Sequence, residues 1–345
     1  MNHMKNLSKL TALLSAAAMT LSLAACSSGN AASTPAPADT STPTDTAAPS
    51  EGATYTVGIC QLVTHDALDA ATQGFMDALN EALPGQVEFD VQNAAGDSNT
   101  CSTIVNSFVA DGVDLILANA TPALQAATAA TADIPILGTS VTEYGVALNI
   151  QGFDGTVGGN VSGTSDLAPL DQQAAMIYEL FPDAETVGLI YCSAEANSQY
   201  QVDTVKAELE KLGYTCELYP FADSNDAAAV TQTACDASDV IYVPTDNTVA
   251  SNTGIVDNIC QPAGVPVVAG EEGIAKGCGV ATLSISYYDL GVTTGKMAAQ
   301  ILTGEADISS MPIAYAENFT PKYNPVICEA LGLTLPENYV AIDME

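Results

Sequence analysis

From Thr54 onward the chain alternates short apolar runs with longer segments whose apolar residues recur at helical spacing, and that alternation constrains its fold more than any other feature. Tyr55–Leu62, Val87–Val91, Val113–Asn119 and Ile134–Gly138 read as strands. Between them lie three helical segments. Asp66–Leu83 carries Leu68, Phe75, Leu79 and Leu83 on one face. A second opens at Asp97, Ser98 or Asn99 and carries Ile104, Val105, Phe108 and Val109, and Thr121–Thr131 is Ala-rich. Short strands without polar alternation, each followed by a helix, indicate a parallel sheet covered on both faces.

The alternation stops between Tyr144 and Asp166, a Gly-rich stretch with no helical period. It resumes with helix Gln172–Phe181, strand Thr186–Cys192, helix Gln199–Leu212, strand Tyr214–Tyr219, helix Ala227–Ala234, strand Val240–Val243, a helix over Thr253–Gln261 and strand Val265–Ala269. A last helix, Tyr288–Leu302, and a return near Ile313–Ala316 would make three crossings between two halves. The sequence therefore predicts an α/β chain of two Rossmann-like, doubly wound lobes joined by a three-crossing hinge. Lobe 1 is expected to hold residues 54–162 plus 285–311, and lobe 2 residues 163–284 plus 312–345.

The segment ahead of this body reads as an address. Lys5 and Lys9 precede or enter an apolar run from Leu10 to Ala25, the layout of a secretory signal over residues 1–25. The run is short for a membrane span. It ends in Leu23-Ala24-Ala25-Cys26, which resembles a bacterial lipobox and makes Cys26 the expected lipidation site; a plain signal peptide with a chance Cys is the alternative. In Ser27–Gly52, 22 of 26 residues are Ser, Thr, Ala, Pro or Gly, too few apolar groups to offset the entropy of ordering. Residues 26–53 are therefore expected to be a disordered tether, about 28 Å in root-mean-square span as a flexible coil. The body would then sit outside the cell, lipid-anchored to the outer face of the membrane.

Charge narrows the function. The formal net charge is −34, no Arg is present, Trp is absent and His3 and His65 are the only histidines. A field of that sign repels phosphate backbones, which argues against nucleic-acid binding, and leaves little material for a His-rich metal site. No GxSxG, HExxH, CxxC or GxxxxGK[ST] occurs, and a Ser–His–Asp arrangement would have only His65 as its base. No catalytic residue, metal site or cofactor is expected. Eight cysteines besides Cys26 form an even set that permits disulfides, yet several fall at strand ends or on apolar helix faces, so the sequence assigns no pair.

The positive signals cluster after the strands, where open α/β sheets bind ligands against helix N-termini. These are Gln61, Leu62 and His65; Asn119, Ala120 and Thr121; Thr139 and Ser140; then Ser193, Asn197 and Ser198; Thr245, Asp246 and Asn247; and Glu271. Each alone is equally well read as a cap or turn residue. Without Arg, a carboxylate would rest on helix amides and on hydroxyls such as Thr121, Ser140, Ser193 and Ser198. An ammonium would want a carboxylate, Asp246 first and Glu271 second, while Tyr287, Leu62 and the neutral edge of His65 offer an apolar wall. Those demands describe an amino acid with an apolar or aromatic side chain.

At these residues the chain resembles the substrate-binding protein family of ABC transporters, in particular members related to aromatic amino acid uptake. The opening Val57-Gly58-Ile59-Cys60-Gln61 with His65-Asp66-Ala67-Leu68-Asp69 and Gly74-Phe75 carries the likeness. So do Asn160–Asp166, which places Ser165 at the ligand, and Ser193–Ser198, Pro244–Ser251 and Ser286–Gly291. Cys60, Ala194 and the Cys-rich second half depart from the pattern. The resemblance implies a type I periplasmic-binding fold that closes on a small amino acid-like ligand and docks, as a monomer, on an ABC permease. A sugar or nucleoside in the same fold, or a ligand-sensing surface module, remains the alternative; a hydrolase lacks its nucleophile–base pair.

Overall fold

The computed structural model describes residues 54–316 and 318–344, so the expected signal segment, Cys26 and the tether lie outside the described residues. Lobe 1 begins with β1 (Tyr55–Gln61), α1 (Asp66–Ala82), β2 (Val87–Asn93), α2 (Ser98–Asp111), β3 (Leu115–Asn119), α3 (Thr121–Ala130), β4 (Ile136–Val141), the one-turn α4 (Tyr144–Ala147) and β5 (Val161–Ser165). Lobe 2 follows with α5 (Leu170–Leu180), β6 (Thr186–Cys192), α6 (Ala196–Lys211), β7 (Thr215–Phe221), α7 (Ser224–Cys235), β8 (Val240–Val243), α8 (Asn247–Ala250), α9 (Thr253–Ala263), β9 (Val267–Ala269), α10 (Glu272–Cys278) and β10 (Ala281–Ser284). The chain returns to lobe 1 for α11 (Tyr287–Leu302) and β11 (Ala314–Tyr315). It ends in lobe 2 with β12 (Thr320–Tyr323), α12 (Pro325–Leu331) and β13 (Val340–Ala341).

The two sheets run β11-β5-β4-β3-β1-β2 and β13-β12-β10-β9-β8-β6-β7. Among the described residues every pairing of named strands is parallel except β10 with β12. Each sheet has apolar packing on both faces, as its near-continuous apolar strands require. In lobe 1, Phe108, Val105 and Leu124 cover one face, and Phe75, Leu79 and Met297 the other. The register sets Gln61 beside Asn119 and Asn119 beside Thr139, so three expected site residues share one end of the sheet.

The Gly-rich stretch differs from its reading as a crossing without regular structure. It contains α4 and a wholly buried strand, β5, whose sequence Val-Ser-Gly-Thr-Ser gives no hydrophobic signal. Its polar side chains are satisfied within the fold: Ser162 Oγ donates to Met311 O at 2.9 Å, and Thr164 Oγ1 bonds Thr139 and Thr294. Gly163 takes φ +146°, and a Cβ there would stand 2.1 Å from Gly138 O. Because β5 and β11 both belong to the first sheet, the first crossing follows Ser165 rather than residue 162, and the last follows Tyr315 rather than residue 311. The short elements α10, β10, β12 and α12 occupy stretches where the sequence showed no period.

The returning helix is held to lobe 1 by backbone contact. A Cβ on Gly74 would lie 2.1 Å from Tyr288 O, one on Gly291 2.0 Å from Ala71 O, and one on Gly295 2.6 Å from Phe75 O. Glycine in a helix interior costs stability. Here it lets α1 and α11 approach closer than any side chain permits.

Candidate ligand-binding site

The carboxyl ends of the two sheets face each other across a cleft. Its mouth is a cavity of about 580 Å³, walled from lobe 1 by Leu62, Val63 and Pro122 and from lobe 2 by Cys192, Ala194 and Asn247. His65 spans it. The residue occupies the N-cap position of α1 without capping it; instead its Nε2 reaches Asn247 Oδ1 in lobe 2 at 3.2 Å. With Nε2 donating to an oxygen, the neutral ring leaves Nδ1 as an acceptor. Nδ1 is buried with no partner, and burial lowers the ring's pKa.

The lobe 1 wall is built at the ends of β3, β4 and β5. Asn119 donates its amide to Leu68 O at 2.8 Å and to Thr72 Oγ1 at 2.9 Å, and its Oδ1 is left buried without a partner. Ala120 follows at φ +95° and Ser140 sits at φ +53°, conformations that cost energy for residues with a Cβ. At Ser140 the pairing of β4 with β5 slips, and such a bulge re-aims a side chain. The Ser140 hydroxyl is buried without a partner. The α3 amides, preceded by Ala120, receive no side-chain cap. Directly after β5, Asp166 is 4% exposed; its Oδ2 accepts from the Tyr287 hydroxyl at 2.9 Å while Oδ1 has no partner.

The lobe 2 wall departs from expectation. Asp246 does not present its carboxylate to a ligand: Oδ1 accepts from Val249 N at 2.9 Å as the cap of α8, and Oδ2 from Cys192 N at 2.7 Å. Glu271 caps α10, accepting from Gly273 N and Ile274 N at 2.6 and 2.5 Å. Both acids thus cap helix starts, a role the sequence reading as ammonium partners did not assign them. Glu195, not singled out in the sequence, fastens α6 to α8 through Asn247 N, Asn247 Nδ2, Thr248 N and Thr248 Oγ1. Asn197 donates Nδ2 to Thr245 O at 3.0 Å, and its Oδ1 is buried and unpartnered.

Other expected contacts are also spent internally. Gln61 bonds Val63 O, Asp69 and Thr72. Thr139 accepts from Thr164, and Ser165 donates to Thr142 O. Ser193 is exposed and donates to Phe221 O, Ser198 Oγ accepts from Asn197 Nδ2, and Thr245 Oγ1 donates to Gly270 O. The Tyr287 phenol is held by Asp166, so it is a polar clamp rather than an apolar wall. Ser193 thus donates within lobe 2, while Ser140 keeps an unpartnered hydroxyl.

Several side chains in the segments that follow the strands keep an unpartnered polar atom. Among the described residues nine buried side-chain nitrogen or oxygen atoms have no hydrogen-bond partner, and five of them belong to His65, Asn119, Ser140, Asp166 and Asn197. Tyr287 holds Asp166 through its hydroxyl, and Asn197 holds Thr245 through its carbonyl oxygen. An unsatisfied buried group costs about 1–3 kcal/mol, so each of the five is available to pair with a bound molecule.

The buried acids set a pH dependence. Burial above all pushes Asp246 up to about 7, the Glu195 charge adding to it, and pushes Glu271 up to about 7; burial raises Asp166 as well. A carboxyl with a raised folded pKa favours folding most at low pH, and that advantage is lost as pH climbs from its unfolded value toward the folded one. His65, lowered, works the other way: its contribution fades below about 6.5, as the unfolded ring takes a proton. Three carboxyls oppose one imidazole. The ligand-free protein is expected to melt at lower temperature as pH rises from about 5.5 to 8, and Glu271→Gln to flatten that slope. Differential scanning fluorimetry checks it; a rising or unchanged slope contradicts it.

Comparison with known proteins agrees with this geometry. The sequence matches the family model described as ABC transporter substrate binding protein over residues 56–344. It is 36% identical over 260 residues to the tyrosine-binding protein of Clostridioides difficile (strain R20291), covering 74% of this chain and 75% of that one. It is similar to the solved ABC domain in complex with L-Trp from Streptococcus pneumonia, at 35% identity and TM-score 0.79, covering 83% and 97% of the two chains. It is also similar to the ligand-free, open structure of a substrate binding protein with adhesive properties from Clostridium difficile, at 37% identity and TM-score 0.65, covering 84% and 100%. The two parallel-sheet lobes have the type I periplasmic-binding architecture, and the chain belongs to the ABC transporter substrate-binding protein family.

Proposed function

We propose that this chain is the extracytoplasmic, lipid-anchored receptor of an ABC importer, and that it binds an aromatic L-amino acid between its lobes for delivery to the permease. The observation that carries the ligand class is the buried, unpartnered set. Asn119 Oδ1, Asn197 Oδ1 and Asp166 Oδ1 suit the three N–H groups of an α-ammonium, with Asp166 supplying the charge. The Ser140 hydroxyl and the uncapped α3 amides at Thr121 and Ala123 suit the carboxylate. Leu62, Val63 and Pro122 offer an apolar surface to the side chain. His65 Nδ1 is then one acceptor more than the ammonium uses, and it suits a ring that carries its own donor, the phenol of tyrosine or the indole of tryptophan.

The relatives support this reading: one is named for tyrosine and another holds L-Trp. At nearly equal identity the chain fits the L-Trp complex better than the ligand-free, open structure, as expected if its lobes are drawn together in the manner of a bound state. Leu23-Ala24-Ala25-Cys26 supports anchoring through Cys26. A sugar or nucleoside is disfavoured by the absence of Trp and Arg.

A thermal-shift panel tests the ligand. Tyrosine or tryptophan is expected to raise the melting temperature, phenylalanine less, and glucose, ribose and adenosine not at all; saturation at a hundred times Kd corresponds to about 2.7 kcal/mol. Tyrosine methyl ester and N-acetyltyrosine, each missing one charge, are expected to give no shift. A response confined to a sugar or nucleoside refutes the proposal.

A further inference from the structure

The eight cysteines of the described residues, all buried, sort into two neighbouring pairs, one in each lobe, and four singles. Cys235, the last residue of α7, and Cys260, in α9, have their sulfurs 2.9 Å apart inside lobe 2. Cys60, in β1, and Cys101, in the first turn of α2, lie in one apolar core of lobe 1 where α2 packs on β1, both fully shielded from solvent. The singles behave otherwise. Cys192, Cys278 and Cys328 donate their thiols to the carbonyl oxygens of Ala222, Ile274 and Val280, and Cys216 packs among apolar side chains. A lone buried cysteine serves as a small hydrophobe; two with their sulfurs in contact, as in lobe 2, or sharing one core between packed elements, as in lobe 1, are placed for a bond.

We propose that Cys60–Cys101 and Cys235–Cys260 close as disulfides when the chain folds in an oxidising medium, giving each lobe one covalent staple and leaving the cleft free of any. Only the place where this happens rests on the export reading; the pairing itself does not. One thiolate of a pair attacks one sulfur of a disulfide oxidant, a glutathione disulfide or the disulfide of a thiol oxidoreductase, and expels the other sulfur as a thiolate. The partner cysteine, losing its proton, then displaces the oxidant from this mixed disulfide. The Sγ–Sγ bond forms, two S–H bonds break, and the oxidant leaves as two thiols. None of the four residues is more than 7% exposed, so oxidation belongs to folding, before the cores close. Both bridges stay within one lobe, so hinge motion is unhindered while each lobe's unfolded state is restricted.

The test refolds denatured, reduced protein either in a glutathione redox buffer or in dithiothreitol, then unfolds it in N-ethylmaleimide. After oxidative refolding, Cys192, Cys216, Cys278 and Cys328 are expected to take the label. Cys60, Cys101, Cys235 and Cys260 are expected to escape it, with the chain lighter by four hydrogens. Glu-C digestion in phosphate buffer, where the protease cuts after Asp as well as Glu, separates all four cysteines and is expected to yield two cross-linked peptide pairs. The oxidised protein should melt several degrees above the reduced one, and the doubles Cys60→Ser/Cys101→Ser and Cys235→Ser/Cys260→Ser should each lose one linked pair and part of that gain. Labelling of all eight positions, or bridges between other cysteines, overturns the inference. The same labelling on chain recovered from cells without reductant, beside protease treatment of intact cells, separates the two readings. Surface-exposed chain with eight free thiols overturns the staples and leaves export standing. Protease-protected chain that still bridges on refolding supports the staples and refutes export.

Discussion

Asp166→Asn is expected to weaken tyrosine or tryptophan binding by roughly 30- to 4000-fold, since truncating one partner of a buried, hydrogen-bonded charge pair costs about 2–5 kcal/mol. The argument is electrostatic. Asp166 is wholly enclosed, its carboxyl is raised by burial, and Tyr287 satisfies one oxygen and leaves the other bare. Among the described residues, no lysine is one of the groups that act on its carboxyl. A carboxylate so placed is uncompensated until a cation arrives, and the ligand's ammonium would lower its pKa again on binding. Asn keeps the shape and can still pair with Tyr287 but carries no charge. The ligand-free variant should melt no lower than the parent, because a neutral amide is easier to bury than a carboxylate. Isothermal titration beside thermal melts separates the two effects. Affinity within threefold of the parent would remove Asp166 from the site, and a collapsed melting temperature would make it structural instead.

That residue also marks where reading the sequence stops. Strands such as Thr186–Cys192 and helix Asp66–Leu83 were legible because their apolar residues carry the period of the element, and the Asp97 cap of α2 because its carboxylate precedes the helix it serves. β5 was hidden because its buried positions are Ser, Thr and Gly, whose burial depends on partners contributed by β4, α11 and the segment before β11. With the strand unseen, Asp166 looked like part of a loop. Asp246 and Glu271 are ambiguous for a different reason. An acid at a helix start looks the same whether it serves a ligand or the helix, and only the donors around it, Cys192 N and Val249 N in one case, Gly273 N and Ile274 N in the other, decide. His65, Asn119, Ser140 and Asn197 were legible as candidates from their places after strands, but their free atoms emerge only once every other partner is counted.

The largest stability effect is expected at the helix pair that brings the returning chain back to lobe 1. Gly291→Ala should destabilise the protein by about 2–3 kcal/mol or more, toward the upper range for overpacking a tight contact. In an exposed helix interior the same change would gain about 1 kcal/mol from propensity alone. The sign reverses because the new methyl would lie 2.0 Å from Ala71 O, a backbone atom that cannot rotate away, and Gly74 and Gly295 hold the same interface closed on either side. Relief requires α11 to move off α1. Tyr287 is the first residue of α11 and the clamp on Asp166, so such a shift should weaken ligand binding together with stability, whereas Asp166→Asn affects binding alone. Gly254, at the start of α9, is the control: nothing but the Asn258 side-chain amide comes within 4.0 Å of a Cβ there, so Gly254→Ala should be neutral or mildly stabilising. Urea unfolding of both variants, read with titration of the aromatic amino acid, decides the matter. If Gly291→Ala unfolds at the parent's midpoint, the close approach of the two helices is not what seats α11, and the coupling of that contact to the ligand through Tyr287 falls with it.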